Sequence, residues 1–221
     1  MKLRKTAKIK LDIQKEEILH TFTAYTAAFN LVCQTGYPKK IYNGITLHEK
    51  TYTETRKTLP SQLAISARTK ATKALAGIFS KKGKAAIRRA KQHSKNPEKK
   101  NQSAKCPQSK LCSIRLDINS YSLFLEKSEI SLLTVNGRKR YKLIIPEYYQ
   151  GLFDDWKYTS AELCIKKNTV YINIVFEKAR NISLKYLDSS GYPSHADVNR
   201  RIVSAVMSDT SPFHAKHGVG S

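Results

Sequence analysis

Acidic residues are scarce in this sequence, and between Glu54 and Glu98 there are none. Over the whole chain 17 Asp and Glu stand against 40 Lys and Arg, a formal net charge of +23. The imbalance says nothing about fold, but it favours a polyanionic partner, either nucleic acid or an anionic membrane surface. Long apolar runs are missing too. None approaches the roughly 20 residues that a membrane helix needs, so nucleic acid is the stronger of the two and no membrane partner is expected. The opening MKLRKTAKIK has no apolar core of the kind a signal peptide carries, and the expected location is the cytoplasm. Cysteine is sparse: Cys33, Cys106, Cys112 and Cys164 stand far apart in the sequence, with no CxxC pair. That spacing indicates neither a zinc site nor a disulfide framework. The four are expected to be reduced and packed as small apolar groups.

What fills the acid-free interval is a basic helical pattern over residues 59–95. Pro60 and Ser61 are written as a helix start. Leu63, Ala67, Ala71, Ala74 and Ile78 recur at steps of four and three and so share a face. Lys70, Lys73, Lys81, Lys82, Lys84, Arg88, Arg89, Lys91 and Lys95 accompany them, with an interruption around residues 77–83. A helix this basic repels itself and is best placed beside a polyanion. A solvated, lysine-rich helix is the other reading of the same run.

At 221 residues the chain can bury a proper core, as one larger domain or two small ones. Residues 8–13 (KIKLDI) alternate and predict a short strand. Residues 15–34 predict a helix with a buried stripe of Ile18, Phe22, Tyr25, Phe29 and Val32, stopped by Gly36. Asn30, at the edge of that stripe, is expected to bond either another helix or a ligand. Residues 38–46 read as a loop turning at Asn43-Gly44. Residues 47–57 read as a short helix on which His48 has no ligand partner at helical spacing. Residues 94–110 lose apolar periodicity and read as a flexible basic connection.

From Leu111 the period changes to two, with Cys112, Ile114, Leu116 and Ile118 on one side. Short strands follow at 121–125 and 130–135, then a hairpin turn at Asn136-Gly137 into 139–145. Residues 147–158 make a helical or looped connection. A second hairpin, 161–166 and 169–177, turns at Lys167-Asn168, with Val170, Ile172, Ile174 and Phe176 facing one way. Six or so short antiparallel strands predict a small barrel, which the first strand could join across the helical stretch. Residues 181–221 show no convincing core element beyond 198–207.

Four stretches carry a family likeness: LPSQLAISARTKATKAL (59–75), IRLDINSYSLFL (114–125), SLLTVNGRKRYKLIIPEYY (131–149) and VYINIVFE (170–177). In this order they resemble the TnpB (OrfB) family of transposon-encoded, RNA-guided DNA endonucleases, relatives of type V CRISPR effectors. The resemblance implies an α+β protein, with an OB-like wedge β-barrel interrupted by a helical recognition lobe. It divides the chain into a first wedge strand (1–13), the lobe (14–97), a basic flexible linker (98–110), the barrel (111–178) and a largely irregular tail (179–221). It also implies structured guide RNA and double-stranded DNA as partners, and a nucleoid-associated location in the cytoplasm. The nucleic-acid-binding candidates are then Tyr52, Arg56, Gln62, Arg68, Lys70, Lys73, Lys81, Lys82, Lys84, Arg88, Arg89 and Lys91. Tyr52, Tyr148 and Tyr149 are available to stack on bases, ordinary packing being the alternative for each.

The family cleaves DNA with a RuvC-like domain whose clustered carboxylates hold divalent magnesium, beside a four-cysteine zinc ribbon. This chain has neither feature after Lys178. SGYPSHADVN (190–199) resembles the last catalytic block, with Asp197 as a remnant of the family's third aspartate. One carboxylate cannot hold two metals, and Asp154-Asp155 are too isolated to substitute. The expected function is therefore guide RNA and DNA binding without cleavage, and no cofactor. The alternatives are complementation by a second chain into an active nuclease, a non-functional remnant, and a small basic RNA-binding protein of another kind. The oligomeric state is not legible.

Overall fold

The computed structural model describes residues 2–93 and 104–179. Strand β1 (Lys2–Asp12) comes first. Four described helices follow: α1 (Lys15–Gly36), α2 (Gly44–Arg56), α3 (Ser61–Phe79) and α4 (Lys81–Gln92). Then come β2 (Ile114–Leu116), β3 (Tyr121–Phe124), β4 (Glu129–Thr134) and β5 (Gly137–Ile144). A short helix α5 (Gln150–Asp155) leads to the last hairpin, β6 (Lys157–Lys166) and β7 (Thr169–Ala179). The fold is mixed helix and sheet. The tail from residue 180 onward, including Asp197, lies outside the described residues, as do 94–103.

The strands form one seven-stranded antiparallel sheet in the order β2-β6-β7-β1-β5-β4-β3. Its two outermost strands, β2 and β3, are consecutive in the chain. Asp117 turns the chain between them, accepting from the Ser120 hydroxyl and the Asn119 amide. The sheet therefore curls into a nearly closed barrel, and the rings of Tyr121 on β3 and Tyr158 on β6 meet inside at 5.8 Å. Alternation fills the interior as the sequence predicts: Ala7, Ile9 and Leu11 from β1, and Val170, Ile172, Ile174 and Phe176 from β7, are all buried.

Several boundaries move for identifiable reasons. The first strand starts at Lys2 rather than residue 8, because β7 offers a partner along its whole length, from Lys2 opposite Ala179 to Lys10 opposite Tyr171. Ile118, expected inside, is 52% exposed, since the turn at Asp117 has already ended β2. The hairpin between β4 and β5 turns on Val135-Asn136, one residue earlier than expected. Gly137 (φ +88°) instead resumes the ladder opposite Thr134. Lys167 and Asn168, with φ of 47° and 62°, make the two-residue turn as predicted. Asn43 and Gly44 do not form a loop turn. Asn43 caps α2, its side-chain oxygen accepting from the Ile45 amide at 2.8 Å.

The basic stretch is two helices that meet at Ser80, whose hydroxyl accepts from the Gly83 amide at 3.0 Å and starts α4. On α3 the buried face is Leu63, Ala64, Ala67, Ala71 and Leu75; Ala74 and Ile78 are only partly covered. Leu75 displaces them because α1 leaves room for it. A β-carbon on Gly36 would stand 2.7 Å from the Leu75 side chain and 2.6 Å from the Ile41 carbonyl. Gly36 ends α1 as expected, but by permitting this close approach. The helix exits through Tyr37 in ordinary right-handed geometry (φ −63°).

Asn30 bonds a connecting segment rather than another helix. Its side chain donates to the Ser109 carbonyl and accepts from the Ser109 amide, both at 2.9 Å. With Tyr37 donating to Ala104 and the Cys112 amide donating to Thr26 at 2.9 Å, it ties residues 104–112 along α1. Asn30→Ala removes both halves of this pairing from a half-buried site. It is expected to cost about 1–3 kcal/mol in urea denaturation and to speed hydrogen exchange at the Ser109 amide.

Candidate nucleic-acid interface

Helix α3 runs beside β2, fastened through Ser66 and Lys70. Tyr25 of α1 and Ser66 share a hydrogen bond (3.0 Å), and Ser66 donates to the Arg115 carbonyl. One helical turn on, Lys70 donates to the Ser113 carbonyl (2.7 Å), the Ser113 hydroxyl (2.6 Å) and the Glu162 carboxylate (2.8 Å). Those are all three donors of an ammonium. Lys70 thus braces the helix against the sheet. Burial works to raise the Glu162 pKa, but hydrogen bonds from Lys70 and Ser113 and the charges of Lys70 and Arg115 outweigh it. The carboxyl is held below its usual range, so Glu162 stays ionised at neutral pH.

Between α3 and the outward side of β1, β6 and β7 this brace leaves a cleft of about 560 Å³. Lys73 and Arg115 line it with Thr6, Ser160 and Asn173, and the Lys70–Glu162 pair closes one wall of it. Lys8, opposite Asn173 in the ladder, lies over the Tyr171 ring at 4.2 Å and extends the basic wall along the barrel. The outward side of β5 adds Arg138, Arg140 and Lys142, all exposed, and Lys139, on the face of Tyr141 and Leu143, is exposed near the hairpin end. In the sequence these residues stand out only as part of a strand and of the 131–149 stretch that carries the family likeness. The alternation of Arg140 and Lys142 with Tyr141 and Leu143 was the available signal that these two cations point to solvent.

The nucleic-acid-binding candidates read from the sequence fall into three groups, with Arg68 apart from them. Lys70 and Lys73 belong to the cleft. Lys81, Lys82, Lys84, Arg88 and Arg89 are exposed on α4, and Lys91 is half-buried there. Tyr52, Arg56 and Gln62 lie at the corner between α2 and α3, where Arg56 donates to the Leu59 carbonyl at 2.7 Å. Tyr52 rests on the His48 ring, centroids 4.2 Å apart. Arg68 turns inward, donating to the Gly44 carbonyl at 2.9 Å, and so holds the start of α2. Tyr148 is 77% exposed, with Tyr149 behind it (ring centroids 4.3 Å).

Metal chemistry finds no footing among the described residues, where no three His, Cys, Asp or Glu side chains gather as a metal would require. Asp155 is engaged by Lys178 at 3.3 Å. Burial pushes the Cys33 thiol up to about 12, so it packs as a neutral group. These donors do not fit magnesium or zinc, and no step through a metal follows from them. In comparison with known proteins, neither a protein-family model nor a curated protein matches this chain.

Proposed function

We propose that this chain binds nucleic acid as a relative of the TnpB (OrfB) family, gripping structured guide RNA and double-stranded DNA without cutting them. On this reading the barrel is the family's OB-like wedge, and α1–α4, which leave it after β1 and return at β2, are the inserted recognition lobe. Its location would be the nucleoid. The observation that carries the binding function is charge without counter-charge: α3 and α4 hold no acidic residue, and Lys73 and the α4 cations stand on their accessible sides. Lys73 and Arg115 would take phosphates in the cleft, Lys81, Lys82, Lys84, Arg88, Arg89 and Lys91 along α4, and Tyr52 and Tyr148 would offer faces for stacking.

Binding of this kind releases counterions, so affinity falls with a slope of about −0.9 in log–log salt for each phosphate neutralised on B-DNA. Titrating the full chain with duplex DNA and with a hairpin RNA between about 50 and 200 mM salt should therefore show a steep loss of affinity. A flat response would remove the nucleic-acid reading. Sequencing the RNA that co-purifies from the host tests the family reading: transposon-derived structured RNA is expected, and bulk ribosomal RNA would point to the other class of basic RNA-binding protein.

A further inference from the structure

The elbow between α3 and α4 encloses a groove of about 470 Å³ unlike the rest of the basic surface. Its floor is apolar, formed by Ile78 and Phe79 at the end of α3 and Ile87 on α4. Its rim is cationic. Lys84, Arg88 and Lys91 follow one another at steps of four and three on α4, one face of the helix, and Lys40 lines the groove with them. Among the described residues no acidic side chain lines it.

The elbow is held in shape. A β-carbon on Gly83 would stand 2.3 Å from the Gly77 carbonyl oxygen, so the two helices already meet at backbone contact. The Phe79 ring is backed by Tyr37 at 5.4 Å between centroids, and Tyr37 is itself anchored to the Ala104 carbonyl.

Phosphate alone would have no use for an isoleucine and phenylalanine floor, and a neutral apolar ligand none for four cations. A ligand with a flat apolar face between two anionic groups uses both. We infer that this elbow accepts one unpaired nucleotide of a bound strand, its base on Ile78, Phe79 and Ile87 and its flanking phosphates on Lys40, Lys84, Arg88 and Lys91. The inference rests on the nucleic-acid reading above and adds what that reading lacks, a preference for a base outside a helix.

The test uses the full chain and three hairpin RNAs: fully paired, with a single-uridine bulge, and with an abasic residue in the bulge. The bulged hairpin is expected to bind about 5- to 100-fold more tightly than the paired one, the range for one base stack. The abasic hairpin should lose that advantage. Ile87→Ser, a change on half-exposed α4 that leaves the core untouched, should lose it as well, as should Phe79→Ala. Lys73→Gln, outside the elbow, should weaken all three hairpins alike. If wild type binds all three equally and with steep salt dependence, the inference fails while nucleic-acid binding stands. If none of them binds, both fail. Equal binding of the three hairpins together with capture of an acidic amphipathic peptide would give the groove to a protein partner and overturn the inference.

Discussion

Lys84→Gln, Arg88→Gln and Lys91→Gln combined are expected to lower affinity for duplex DNA by about a hundredfold at about 0.15 M salt, and to flatten the salt slope by about 2.7. Both figures follow from removing three phosphate contacts in the counterion-release relation. The fold is expected to survive, because these side chains lie on the outer part of α4, whose only buried residue is Gly83. Stability should even rise slightly. Lys84 and Arg88 repel each other one turn apart, and Lys81, Lys82 and Lys84 crowd the positive end of the helix dipole. Relieving part of this is worth a few tenths of a kcal/mol. Binding isotherms and a thermal melt on the same preparation read the two effects, which must run in opposite directions. Loss of binding accompanied by a lower melting point would instead mean that α4 had been a structural support.

Phe176→Ala is the substitution expected to damage the fold most, by about 3–5 kcal/mol. The ring is wholly buried, meets Phe153 edge-on at 5.0 Å, and stands on β7 between β1 and β6, opposite Lys5 and Tyr158. Truncation opens a cavity where two ladders and α5 converge, so little can collapse into it. Against a total of about 5–15 kcal/mol for an ordinary domain this is a large fraction. The buried side chains of α1, α2, α3 and the barrel form one continuous cluster. The helical signal in far-ultraviolet circular dichroism and the barrel signal from Trp156 fluorescence should therefore fall together in urea, at a lower midpoint than wild type. Two separated transitions would show that helices and barrel fold as independent units. Tyr148→Ala, on an exposed ring, should shift the midpoint little and serves as the control.

How much of this was legible beforehand depends on the range of the interaction involved. The stripe of Ile18, Phe22, Tyr25, Phe29 and Val32 on α1 and the alternation along β7 were readable, because a helix or strand repeats its geometry every turn or every second residue. The turn at Lys167-Asn168 was readable because two residues with positive φ are a local demand. The role of Asn30 was not. Its partner, Ser109, is 79 positions away and offers only backbone atoms, which carry no sequence signature. Lys70 and Lys73 look alike in the sequence, yet Glu162 and Ser113 take up one and leave the other facing the cleft. Arg115, a cation of the same cleft, lay hidden in a strand.

The order of amino acids alone fixed the sign and concentration of charge, the main helical and extended segments, and the covered face of α1 and β7, since these depend on composition and on neighbours within a turn or two. Only the folded chain decided which cations are spent on internal carboxylates and carbonyls and which stay exposed. It also decided that Gly77 and Gly83 bring two basic helices into backbone contact around an apolar hollow. Both depend on groups tens of residues apart meeting in space, and no local pattern records such a meeting.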